Sequence, residues 1–271
     1  MVSEKTVTGF GHPESVAYDP VGKALYVSDF GPGDLKPAEK DGKGTIKKVS
    51  LDGKIEPAFL PVAGQVLNKP KGIWIAGNRL WVTDIDAVWI FDLKTKAGRK
   101  LDLPGIQFAN DPAVMKNVLY VSDNRSDQLF RVEPADFLKG SVTPKIAAVF
   151  SGKSIFPNGL YPGRDGSLLM VGFKGKDDPR GIYAMAPGKD PKALSDNIGM
   201  LDGLYQMADG DILATDWMTS SLFRWNAKTG VQKLATGFGG PADFCVIPRG
   251  KGFLVVVPDL VKGELRFVEL Q

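Results

Sequence analysis

Along the chain, short apolar runs alternate with clusters rich in Gly, Pro, Asn and Asp, and no stretch carries a convincing helical periodicity. One kind of run ends in an acid: "ALYVSD" (24–29), "RLWVTD" (79–84), "VLYVSD" (118–123) and "DILATD" (211–216). "SLLMVG" (167–172) is a degraded copy, and "FLVVVPD" (253–259) a sixth. Ahead of each stands a partner run, "PESVAYD" from 13, "PKGIWIA" from 70, "NDPAVMK" from 110, "PNGLYPG" from 157, "LDGLYQM" from 201 and "PADFCVI" from 241. A third run follows in every unit, such as "TIKKVSL" or "ELRFVEL", and a weaker fourth in most, such as "KIAAVFSG" or "QKLATGFG".

Four short strands per unit, repeated at intervals of 40 to 57 residues, predict an all-β, six-bladed β-propeller filling residues 1–271 as one domain. The last unit stops after its third strand. "KTVTGFG" from Lys5 matches "QKLATGFG" at the end of the fifth unit. The N-terminal strand is therefore predicted to complete the sixth blade, closing the ring and removing open sheet edges.

Composition narrows the function. Hydrophobic content is 43% and charge 24%, with 34 basic and 31 acidic residues scattered along the chain, so neither a basic block nor a membrane span is present. Nucleic acid and membrane are excluded as expected partners; a small-molecule substrate and a monomer or weak dimer are expected. The start "MVSEKTVTGF" lacks the apolar core of a signal peptide, which fits the cytoplasm, or the periplasm if a leader has been removed. A single cysteine, Cys245, lies in an apolar run and reads as a buried, inert thiol. One histidine, His12, cannot form a two-imidazole site, and is placed in a loop at the mouth.

The first strands of a propeller line a central channel. Aligned on their second position they read Glu14, Lys71, Asp111, Asn158, Asp202 and Ala242, with Asn110 one place before Asp111. Narrow channels favour small or apolar residues, because burying charge is costly. Carboxylates that close together repel unless protonated or neutralised by a cation. Oxygen donors without imidazole or thiolate suit a hard ion, and Ca²⁺ accepts such a mixture best. Ala242 leaves room.

The residues "HPESVAYD", "FANDPAV", "FPNGLYP" and "LDGLYQMADGDILATD", one per blade and in order, resemble the SMP-30/gluconolactonase/LRE-like family of six-bladed calcium-dependent propellers, kin to diisopropylfluorophosphatase-type hydrolases. The resemblance spans nearly the whole chain. It implies a divalent metal, calcium in most members with Mg²⁺, Mn²⁺ and Zn²⁺ as alternatives, held by Glu14, Asn158 and Asp202 with Asn110 as ligand or through water. It further places Asp111 and Lys71 on the substrate side, although many lactonases carry Arg in the region of Lys71. The implied activity is hydrolysis of a lactone or related ester, with Asp202 or Asp111 as general base, or Asp202 as nucleophile.

Loops joining second to third strands should overhang the site. The recurring acids Asp29, Asp84, Asp123 and Asp216 read as turn formers. The long loop 30–44 reads as a lid or specificity loop, and Arg125 and Trp217, with Asn110 and Lys71, are expected to touch substrate. Two other classes remain open: a non-catalytic NHL-like propeller binding a protein or other ligand on its face, and a quinone-dependent oxidoreductase propeller.

Overall fold

The computed structural model describes residues 3–270; the sequence-derived domain limits 1–271 include Met1, Val2 and Gln271, which lie outside that range. The chain forms six four-stranded antiparallel sheets in a ring. The first blade runs Pro13–Asp19, Ala24–Asp29, Thr45–Ser50 and Ile55–Leu60 from axis to rim. The next four begin their inner strands at Pro70, Ala109, Pro157 and Leu201. The sixth combines Cys245–Arg249, Gly252–Asp259 and Glu264–Leu270 with the N-terminal strand Ser3–Thr8 on its outside.

That N-terminal strand pairs with the C-terminal one over six residues, from Ser3 opposite Glu269 to Thr8 opposite Glu264. The predicted closure is therefore present, and the outer edge of the last blade is covered. No helix occurs among the described residues.

The second strands carry near-continuous buried runs, such as Ala24–Asp29 and Leu168–Gly172, so each blade is covered on both faces and the core is divided among the seams between neighbours. Trp89 and Phe91 stack at 5.3 Å in the seam between the first and second blades. Phe130, Val132 and Phe137 fill the seam of the second and third. The seam joining the last blade to the first gathers Val7, Val16, Leu25, Val49, Leu265 and Phe267. Val7 belongs to the closing strand, so closure is fastened by packing as well as by the ladder.

A charge at Val7 tests this. Val7→Asp is expected to cost about 3 kcal/mol, the penalty for an unpaired polar group in a core, lowering Tm by roughly 6–12 °C. Thr6→Asp, on the exposed side of the same strand, should leave Tm within about 2 °C of the parent. Differential scanning calorimetry compares the two. Equal, small shifts would mean that the strand contributes nothing to closure.

Candidate active site

The axial residues owe their position to a repeated backbone irregularity. In five blades the ladder between inner and second strands slips once, after Pro13, Pro70, Ala109, Pro157 and Leu201. In the sixth, Pro241 makes an isolated bridge to Asp259 before the strand resumes at Cys245. Bulges of this kind re-aim side chains. Counting from those anchors gives two rings. The first comprises Glu14, Lys71, Asn110, Asn158, Asp202 and Ala242; the second comprises Ser15, Gly72, Asp111, Gly159, Gly203 and Asp243.

This register corrects the sequence alignment at one blade. Asn110, not Asp111, shares the first ring with Glu14 and Asp202, because Ala109 occupies the anchoring place that proline holds in four other blades. Asp243 was missed. The signal lay in "GGPADF" beside "GHPESV": the acid survives in the last blade, moved one residue along into the second ring.

A Ser/Thr–Asp pair ends four of the second strands, Ser28–Asp29, Thr83–Asp84, Ser122–Asp123 and Thr215–Asp216, and supports the bulges. The hydroxyls of Ser28, Ser122 and Thr215 accept the N–H of Ser15, Asp111 and Gly203 in the second ring, each at 2.9 Å. The hydroxyls of Thr83, Ser122 and Thr215 also donate across the seam to the carbonyls of Asn110, Asn158 and Ala242 in the next blade. The adjoining carboxylates tie down the mouth loops. Asp29 accepts N–H groups of Gly11, His12 and Gly31; Asp123 accepts those of Gln107, Arg125 and Ser126; Asp259 does the same for Gly239, Gly240 and Lys262. Turn formation is thus what these acids do.

In the first ring Glu14, Lys71, Asn110, Asn158 and Asp202 are all buried. Three oxygens there, Glu14 Oε2, Asn158 Oδ1 and Asp202 Oδ1, are buried without a hydrogen-bond partner. They come from three separate blades at one register position. Burial, followed by repulsion from Asp202, pushes the Glu14 carboxyl well above the usual range, with Lys71 pulling the other way. Asp202 is raised by burial and then by Asp243, against the Trp217 hydrogen bond. Asp111 is likewise raised, by burial first and Asp243 next. Lys71 is drawn down to about 8, chiefly by burial and against the attraction of Glu14 and Asp84.

Orphaned buried acceptors on the axis are what a bound cation would satisfy. Among the described residues no three His, Cys, Asp or Glu side chains are arranged to hold a metal by themselves. The first ring offers two carboxylates, and a four-oxygen set exists only with the amides of Asn110 and Asn158. Hard cations take such a set; softer ones select nitrogen or sulfur.

Around the mouth, Trp217 Nε1 donates to Asp202 Oδ2 at 2.9 Å, while Phe173 meets the Trp217 ring edge-on at 5.7 Å. Lys71 Nζ lies 4.1 Å from the centre of the Phe108 ring, and the exposed Arg125 guanidinium lies 4.4 Å from it. Lys71 also faces Phe30 and donates to Lys69 O. His12 is tied into the loops, its ring nitrogens lying 3.0 Å from Leu260 O and 2.9 Å from Gly33 O. Loop 30–44 is strapped to the second blade by Lys69 Nζ, which donates to Phe30 O and Asp41 Oδ2, and by Gly44 N–H to Leu67 O. Structure thus gathers Glu14, Lys71, Asn110, Asn158 and Asp202 in one ring with Trp217 attached, keeps Arg125 at the rim, and sets Asp111 one ring deeper.

Asp243 supplies a pH test. Burial raises its carboxyl from the usual value to about 7, opposed by a 2.6 Å hydrogen bond from Ser15 Oγ. The folded state therefore keeps a proton that the unfolded chain releases near pH 4, and stability declines as pH rises towards 7. In a chelator-containing buffer Asp243→Asn should melt at least about 4 °C above the parent at pH 8 and within about 2 °C of it at pH 4. Equal shifts at both values would remove the charge as the cause.

Among solved structures the chain is similar to virginiamycin B lyase from Staphylococcus aureus, with 13% identity over 100% of both chains and a TM-score of 0.64. A streptogramin B lyase is similar at 14% identity, covering 100% of this chain and 98% of that one, with a TM-score of 0.66. A protein assigned provisionally as a gluconolactonase gives 16% identity, 99% and 92% coverage, and a TM-score of 0.70. No family model matches the chain, and no curated protein matches it. At these identities the likenesses establish the β-propeller fold, shared by a chain assigned as a gluconolactonase and by lyases alike.

Proposed function

We propose that the protein is a divalent-metal-dependent hydrolase of a lactone or related ester, with calcium as the metal. The observation that carries this reading is the set of three orphaned oxygens, on Glu14, Asn158 and Asp202, in one ring about the axis. Glu14, Asn158, Asp202 and Asn110 would hold the ion. When bound it would polarise the acyl oxygen of the substrate as a Lewis acid. A likeness to a chain assigned as a gluconolactonase supports the reading coarsely, and the lyase likenesses argue for an enzyme without choosing the substrate.

This chain's own groups would divide the remaining work. Asp202, oriented by Trp217, is the base: it takes the proton of the attacking water as the new C–O bond forms at the acyl carbon. The ester C–O bond then breaks, and the leaving alkoxide takes up the proton, giving a hydroxy acid. Asp111 is kept from this role by its place in the second ring, where one oxygen accepts Leu160 N–H at 2.6 Å. The Lys71 ammonium, buried beside Phe30 and Phe108, faces the carboxylate that the reaction creates. Arg125, without a carboxylate partner among the described residues, would receive an anionic substituent at the rim. A purely scaffolding propeller would share the fold, but would leave three buried acceptors unsatisfied for no return.

Thermal melts after chelation, followed by addition of Ca²⁺, Mg²⁺, Mn²⁺ or Zn²⁺, test the metal directly. Calcium at 100 times its Kd should stabilise the fold by about 2.7 kcal/mol, or roughly 5–11 °C. Glu14→Gln and Asp202→Asn should lose most of that response. On a panel of lactones and aryl esters, Asp202→Asn should lower kcat by about 100-fold or more. Absence of any ion-dependent shift, together with unchanged turnover in Asp202→Asn, would defeat the proposal.

A further inference from the structure

A cavity opens at the other end of the channel, where the inner strands finish. It measures about 330 Å³ and is walled mainly by apolar and aromatic side chains. None of Glu14, Lys71, Asn110, Asn158 or Asp202 borders it, whereas both acids of the second ring, Asp111 and Asp243, do. The mouth that would admit an ester and this cavity are therefore served by different rings.

Three half-buried aromatic residues form one continuous wall. Trp74 and Tyr161 meet edge to face with centroids 6.3 Å apart, and Tyr161 and Tyr205 meet at 5.0 Å and 56°. Tyr18 adds a fourth aromatic from the first blade. At the inner end, Asp111 is 4% exposed. Its Oδ2 is engaged by Leu160 N–H, which leaves Oδ1 uncommitted among the described residues. The second ring is otherwise small. A Cβ on Gly72 would lie 2.2 Å from Asp111 Oδ1, and one on Gly203 would lie 2.6 Å from Asp243 Oδ1. Those glycines are spaces kept for the two carboxylates.

Charge completes the picture. Glu14, Asp111, Asp202 and Asp243 stand on the axis against the single ammonium of Lys71. With all four acids ionised, a dication in the first ring would still leave one negative charge, and Asp111 and Asp243 are the acids that border the aromatic-walled cavity. Aromatic faces attract organic cations, and carboxylates at the end of a mainly apolar cavity fix their orientation.

We propose that this cavity is a second binding site, specific for a small organic monocation such as a substituted ammonium, held between the Trp74–Tyr161–Tyr205 wall and the carboxylates of Asp111 and Asp243. The site is separate from the hydrolytic centre, and its charge argument rests on the dication proposed for the first ring.

Calorimetric titration of the full chain with choline, in calcium-containing buffer at pH 8, tests the assignment, with 3,3-dimethylbutan-1-ol as the uncharged isostere. Choline should bind at one site at least ten times more tightly than the isostere. Trp74→Ala and Asp243→Asn should each weaken choline ten-fold or more, while Trp74→Phe, which keeps a ring, should bind within a few-fold of the parent. Ester turnover should be unchanged in Trp74→Phe, and melting curves verify that each variant folds. Equal affinity for the isostere, absence of choline binding, or stoichiometric displacement of choline by excess Ca²⁺ would each overturn the proposal, the last by showing that the lower carboxylates serve a metal.

Discussion

A hydroxyl and a carboxylate side by side at the end of four of the six second strands hold the architecture of the axis. A bulged strand leaves backbone N–H and C=O groups off the ladder, and buried groups of that kind must find partners. Ser28, Thr83, Ser122 and Thr215 meet that demand, three of them by accepting from their own blade's bulge and three by donating to the carbonyl of the next blade. The neighbouring aspartates collect the loop N–H groups just outside. The second, third and fifth blades thereby fix the bulges of their successors, and the polar side chains at the channel mouth are presented by rigid backbone. Where the pair is lost, at Val171–Gly172, Arg180 packs against the position and a Cβ on Gly172 would lie 2.5 Å from its side chain. Asp127 takes over the capping there, accepting the N–H groups of Ser154, Ile155 and Phe156.

The same rigidity creates an electrostatic problem that decides the chemistry. Four carboxylates share the axis with one ammonium, and burial is the largest cause of the upward shift in each of the four acids. Such groups can be neutralised by protons, by ions, or by both. A proton on one carboxyl supplies a single donor, against three unpartnered oxygens on Glu14, Asn158 and Asp202. A cation would serve both needs at once, and that is the basis of the proposal of a metal in the first ring.

Much of this was legible in the chain. The period of strand-like runs, the acid ending of the second strands and the match between "KTVTGFG" and "QKLATGFG" sufficed for six blades and their closure, because a propeller repeats its turn chemistry in every unit. Ring membership was harder to read. Proline marks the anchor before the bulge at Pro13, Pro70, Pro157 and Pro241, but the third and fifth blades use Ala109 and Leu201, and in "FANDPAV" the only proline lies beyond the bulge and draws the alignment one place too far. Asp243 escaped for a related reason: Ala242 read as an absent ligand, when the acid had moved to the next ring. The aromatic wall was in plain view in "GIWI", "GLYP" and "GLYQ", yet Trp74, Tyr161 and Tyr205 scan as ordinary core residues until the ring closes and turns them towards a common space.

Glu14 and Ala242, at matching places near the two ends of the chain, now have a joint explanation. The first and last blades meet at the axis through a parallel bridge between Ser15 and Asp243. Asp243 N–H donates to Glu14 O, Val16 N–H donates to Asp243 O, and Ser15 Oγ donates to Asp243 Oδ2 at 2.6 Å. Two large acids at the same level of adjoining blades would place like charges side by side across this seam. Staggering them, Glu14 above with Ala242 opposite, and Asp243 below with Ser15 opposite, lets a hydroxyl replace the repulsion with a hydrogen bond. The ring is thus joined at its rim by a strand and at its centre by a serine–aspartate contact, and the stagger that permits this closure also gives each end of the channel its own carboxylates.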